Sequence, residues 1–163
     1  MSHTSSGAAA ITIKHNLHAA ILAAVGDTPD VDISFGLRWP AVAEDSISVT
    51  SVRSTPEDPN VASTLRARRD VIEVGVVFES WRPGWDFAAE VASSDRAYEL
   101  LAIVDRYLRD GDHITLGGAA LWCLLGPHTS DGVSTEDENG DSRGRITAID
   151  ATFIAVADIR NSH

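Results

Sequence analysis

Residues Arg145–Ile159, RITAIDATFIAVADI, decide the fold, together with Arg69–Ser80, RDVIEVGVVFES. The first run predicts the last strand, and its two faces, Thr147/Ile149/Ala151/Phe153 and Ile146/Ala148/Ile154/Val156, are both mostly apolar. One such face covers a domain core. The other needs a second cover, for which another subunit is a candidate. The second run, dense in β-branched residues from Val71 to Phe78, predicts a strand covered on both faces in its later half.

Outward from these strands, the elements fall into one order. Ile13, Leu17, Ala20, Ile21, Ala24 and Val25 recur at helical spacing, so Thr12–Val25 is an amphipathic helix stopped by Gly26 and Pro29. Val31, Ile33 and Phe35 alternate as a strand, and Ile47 and Val49 mark another. Ser54–Arg68, with Pro56 and Pro59 and few large apolar residues, is expected to be a mobile arm. Trp81–Asp86 is expected to break the third strand, with Asp86 or one of Ser93 and Ser94 capping a helix that is clear from Ala97 to Leu108 and ends at Asp110-Gly111-Asp112. Ile114 to Leu125 is read as extended, bulged at Gly117-Gly118 and closed by Pro127, and residues 128–142 as a solvated acidic loop. The expected fold is α+β: a mainly antiparallel or mixed sheet of about five strands with two helices on one side, in the order αβββαββ, as one domain over residues 11–160 after a flexible tail of residues 1–10.

Composition narrows the function. The chain has 163 residues, 44% hydrophobic and 23% charged, which is ordinary globular usage. Thirteen basic against twenty-four acidic side chains give a formal charge of −11, an unfavourable balance for binding phosphate backbones. Twelve of the basic residues are Arg. A single cysteine, Cys123, excludes an internal disulfide and any site needing two thiolates from one chain, and fits a reducing compartment. The longest stretch free of charge and strong polarity, Gly117–Gly126, is half the length of a membrane span, and no export signal is evident at the N-terminus.

Signatures of known chemistry are sparse. The phosphate-binding loop, the His-Glu-x-x-His zinc helix and the Gly-x-Ser-x-Gly nucleophile elbow do not occur. His15 and His18 stand three apart, a spacing that serves a metal, but no third ligand is adjacent and a polar helix face explains them better. Cys123 and His128 could pair as nucleophile and base only in a cleft, whereas Ala-Leu-Trp-Cys-Leu-Leu is the setting of a buried thiol. Asp110, Asp112 and His113 fit turn chemistry. Asp137, Asn139 and Asp141 imitate a calcium loop, yet Ser142 replaces the obligatory glycine and Ala148 the twelfth-position Glu. No catalytic, cofactor or metal residue is therefore assigned. Candidate contact residues are Trp39, Trp81, Arg82 and Trp85, of the types that dominate binding hot spots, although the indoles could equally cap the core. Arg66, Arg68 and Arg69 form a basic cluster that either is solvated or pairs with the acidic loop of another subunit.

ITIKHNLHAAILAAV followed by VDISFG, RARRDVIEVGVVFESWRPG, AYELLAIVDRYLRDG and GRITAIDATFIAVADI together resemble the tail terminator proteins of long-tailed bacteriophages, especially those of actinobacteria. The resemblance covers most of residues 11–160 and lies in the order of elements more than in any one motif. It implies a virion structural protein of the tail–neck region, assembled in the host cytoplasm. Such a protein caps the tail tube as a hexameric ring, ends its polymerisation and joins it to the head-completion or connector proteins. It implies no enzyme, no cofactor and no membrane. DNA would pass through the ring without specific binding, and Glu136, Asp137, Glu138 and Asp141 would face the lumen or a partner. Another neck or tail-completion protein of the same virion is the nearest alternative. From a different class, a small ligand-binding domain or enzyme would use a pocket near Trp81, Trp85 and His113.

Overall fold

The computed structural model describes residues 5–38, 43–57, 67–136, 140 and 143–160. Its elements are α1 (Ser6–Val25), β1 (Val31–Ser34), β2 (Asp45–Pro56), β3 (Ala67–Pro83), α2 (Phe87–Arg109), β4 (Trp122–Glu136) and β5 (Arg143–Arg160), with a 3₁₀ turn at Gly111–Thr115. The fold is α+β in the order αβββαββ. The five strands lie in the spatial order β1-β2-β3-β5-β4, parallel between β1 and β2 and antiparallel elsewhere.

The two strands that decided the sequence reading are sheet neighbours. β3 and β5 pair without a register shift from Ala67/Arg160 to Pro83/Gly144. Alternation along them sends Ile72, Val74, Val76 and Phe78 of β3, and Ile149, Ala151, Phe153 and Ala155 of β5, to one face. There Ile13, Leu17 and Ile21 of α1 and Leu100, Val104 and Leu108 of α2 close over them. Phe78 and Phe153 meet at the centre, 6.5 Å between ring centroids. Among the described residues no element covers the opposite face of the sheet.

Several boundaries differ from the sequence reading, each for a physical reason. α1 begins at Ser6, where Ser5 Oγ caps the Ala8 amide, and Ala9 and Ala10 are buried; residues 6–10 are thus helix, not a flexible tail. By length and hydropathy α1 could cross a membrane, but its Ile13, Leu17 and Ile21 are sealed against the sheet. α2 starts ten residues before Ala97, capped by Asp86 Oδ1 on the Ala89 amide at 2.9 Å. β2 reaches Pro56 and β3 starts at Ala67, so both ends of the expected arm are strand, and residues 58–66 lie outside the described residues. β3 also runs through Trp81 and Arg82 to Pro83, because β5 continues opposite them.

The extended reading of Ile114 and Leu116 fails. Leu116, Gly117 and Gly118 all have positive φ, and a left-handed run makes a turn rather than a strand. Asn16 Nδ2 donates to the Leu116 carbonyl at 2.8 Å and ties that turn to α1. The expected stop at Pro127 fails as well: a bulge between Leu125 and His128 absorbs Gly126-Pro127, and β4, an edge strand, tolerates the proline. His128–Glu136, expected within the acidic loop, is therefore strand, paired with β5.

Phe153 is fully buried between helices and sheet. Phe153→Ala is expected to lower stability by about 3–5 kcal/mol, read from urea unfolding at neutral pH.

Candidate functional site

The sequence-predicted contact residues that fall among the described residues gather mostly at one end of the sheet, where β3 finishes and the β4–β5 hairpin projects. Trp81 lies on the uncovered face. Its ring fills the space above Gly144, where an added Cβ would stand 2.1 Å from Nε1. Its Nε1–H donates to Thr135 Oγ1 at 2.9 Å. Trp85 Nε1–H donates to the Thr135 carbonyl at 3.2 Å, and the Arg143 guanidinium lies 4.6 Å from the Trp85 ring centroid. Two indoles thus grip the turn end of the β4–β5 hairpin at one residue. Glu136, at the end of β4, pairs with Arg143 at 3.3 Å. Trp39, Asp137, Glu138 and Asp141 lie outside the described residues.

Arg82 points to the helix side and is used within the chain. Asp45, at the start of β2, accepts from Arg82 Nη1 at 2.8 Å and Nη2 at 3.2 Å, from Arg96 Nε of α2 at 2.9 Å and from Ser80 Oγ at 2.8 Å. The Asp45 side chain is 7% exposed and the two arginines are 24% and 21% exposed. Burial pushes the Asp45 pKa up, but the hydrogen bonds from Arg82, Arg96 and Ser80 together outweigh it and hold the carboxyl below its usual value. The cluster staples β2, β3 and α2 and leaves neither arginine fork open to a partner.

The basic cluster is likewise engaged. Arg68 Nε stands 3.0 Å from Oδ1 of the fully buried Asp70, off the hydrogen-bond axis, while Ser54 Oγ and Ser6 Oγ donate to Asp70 Oδ2. Arg69 pairs with Asp158 across β3 and β5 at 3.2 Å. Arg66 lies outside the described residues.

The chemistry-bearing pairs are apart or occupied. Cys123 and His128 face Ala155 and Ala151 of β5, four positions or about 13 Å apart, and burial pushes the Cys123 thiol up to about 12. His15 stacks on Phe35 at 4.6 Å and His18 meets the same ring edge-on, while burial, and next the charge of His15, lower the His18 pKa. His113 stacks on Tyr107 at 3.9 Å beside a shallow cavity of about 280 Å³ between α1 and α2. α2, 23 residues or about 35 Å long, separates that cavity from Trp81 and Trp85, so the three residues of the expected pocket do not meet.

Sequence reasoning missed two features. Among the described residues the outer edge of β4 is unpaired, and the uncovered face carries Glu73, Glu79, Asp131, Asp150 and Asp158, which register alone brings together. Most large apolar residues on that face gather at its two ends, Trp122, Leu124, Ile154, Val156 and Val71 at one and Trp81, Ile146 and Val133 at the other, with Val77 between them. Neither a protein family nor a curated protein matches the chain.

Two outcomes are expected. Asp45→Asn, which removes the buried carboxylate that Arg82 and Arg96 share, should cost about 2 kcal/mol in urea unfolding at pH 7. Because the folded pKa of Asp45 lies below the unfolded value, its contribution is complete above about pH 4 and is lost as pH falls through the folded value, so the variant's stability should fall less steeply on acidification. Cys123 should resist Ellman's reagent in the native protein and react fully in denaturant.

Proposed function

We propose that this chain is a structural tail-completion protein of a long-tailed bacteriophage, a terminator that assembles as a ring on the tail tube and offers its other end to the head-completion or connector proteins. The observation that carries the reading is the bare sheet face. A five-stranded sheet covered by helices on one side only, with an acidic middle band and apolar ends, suits a subunit whose sheet lines a channel and whose ends stack between two neighbouring rings. Glu79, Asp131 and Asp150 lie in the band between the two apolar ends. Their like charge would keep DNA from adhering to the channel wall while it passes.

The sequence resemblance supports the same reading, and its family works without catalysis. The alternative of a ligand-binding domain is less well supported, because α2 holds Trp85 and His113 at its opposite ends. Terminator and other neck proteins share the expectations for the bare face and differ in phenotype.

Deletion of the gene from the genome that encodes it, followed by electron microscopy of the particles, separates these readings. Overlong tails detached from capsids are the expected result. Tails of normal length that fail to join heads would point to another neck protein, and normal particles would reject both. Replacing Glu79 and Asp150 by Gln and Asn should leave assembly intact and slow DNA ejection severalfold in a fluorescence release assay.

A further inference from the structure

The sheet has two open edges of complementary form. At one end β4 is paired only with β5, and among the described residues no backbone hydrogen bond reaches its outer side; the Thr135 carbonyl alone is taken, by Trp85. His128–Glu136 is a long, exposed edge without proline or lysine, which is the form of edge most open to pairing with another chain. At the other end β1 covers β2 only as far as Ser48. Beyond it Lys14 Nζ donates to the Thr50 carbonyl within the bulge between Val49 and Val52, and Val52–Pro56 continues as a strand whose outer side is unpaired among the described residues.

We propose that β4 of one copy adds to the free stretch of β2 in the next copy, so that the sheet continues from subunit to subunit, with His128–Gly132 opposite Val52–Pro56 and Asp131 opposite Arg53. The inference rests on the self-assembly proposed above and names its seam. Strand direction fits: β2 and β5 run one way and β3 and β4 the other, so β4 against the next β2 is antiparallel when both subunits have the same orientation. Facing also fits. Arg53 and Thr55 pair with Glu73 and Val71 on the bare face, and Thr129 and Asp131 pair with Asp150 and Ala148 on that same face. In this register every bare-face residue therefore meets a bare-face residue, as direct antiparallel neighbours must.

Charge selects the register. Arg53, whose side chain is 77% exposed, has only a loose 3.9 Å pairing with Glu73, and Asp131 is exposed with no ion pair among the described residues. A shift of two residues either way would preserve facing but separate the charges. β1 sets the lower limit, because it already occupies the edge of β2 at Ser48, which the bulge between Val49 and Val52 brings to four levels from Arg53, so the seam ends before Thr135.

The offset has a geometric consequence. Within one sheet Arg53 is level with Ile154 of β5, and Asp131 is level with Ala148, six positions away. Six residues rise about 20 Å, against about 19 Å of lateral spacing for four strands. Each subunit thus advances along its strands about as far as across them, a tilt near 45° of the kind found in closed barrels. The contact is heterologous, and a heterologous contact that closes gives a ring.

Hydrogen exchange measured by mass spectrometry on the full chain, from micromolar to millimolar concentration alongside light scattering, tests the seam. The expected result is an assembly in which amides of 52–55 and 128–132 slow at least tenfold while the centre of β3 does not change. Arg53→Glu and Asp131→Arg, both at exposed positions, should each raise the concentration needed for assembly more than tenfold, and the double variant should return to within about threefold of the parent. Assembly without slowing in those segments, or with no loss in either single variant, overturns the seam and leaves a ring closed through another surface. A chain that stays monomeric to millimolar concentration also overturns the seam, while the tail phenotype stands or falls on the deletion test.

Discussion

The antiparallel ladder between β3 and β5 is the constraint on which the rest of the structure depends. It runs unbroken from Ala67/Arg160 to Pro83/Gly144, so a slip of one residue would turn every core side chain of the slipped strand, Phe78 or Phe153 among them, to the bare face. That penalty fixes the register strongly. Once fixed, it places the remaining elements: β2 beside β3, β4 beside β5, and both helices over the apolar side. It also presents Glu73, Glu79, Asp150 and Asp158 together on the other side, although they are scattered along the chain.

The ladder's far end is where packing becomes specific. Trp81 requires Gly144 beneath it, and Thr135 answers both indoles, so the ends of β3, β4 and β5 are locked together. On the helix side, Asp45 draws Arg82 and Arg96 into one buried cluster that joins the start of β2, the end of β3 and α2. Buried ion pairs of this kind add little net stability over apolar packing, but they are intolerant of losing one member. Their value here is in holding three elements in one arrangement beside the hairpin.

Arginines that look like partner-binding residues in a linear reading satisfy acids of their own chain. Arg68 stands against Asp70, Arg69 pairs with Asp158 and Arg82 with Asp45. The partners lie two, eighty-nine and thirty-seven residues away, and only the sheet brings the last two together. Among the described residues, exposed backbone rather than exposed arginine is what this fold leaves free: the outer edge of β4 and the end of β2.

What the sequence determined by itself was local: the 3.6-residue period of α1 and α2, the apolar, β-branched runs that make β3 and β5, and the order αβββαββ. Each depends on residues within one or two turns or strands of each other. The tertiary structure alone decided that β4 passes through Pro127 and on into His128–Glu136, because backbone pairing with β5 outweighs a polar, turn-rich composition. It alone decided that Leu116 turns left-handed and that residues 6–10 are helix, since Asn16, Ser5 and the packing of Ala9 and Ala10 supply the compensating contacts. The bare face and the two open edges belong to the same class, for they are defined by which neighbours a strand lacks, and that is a property of the assembled sheet.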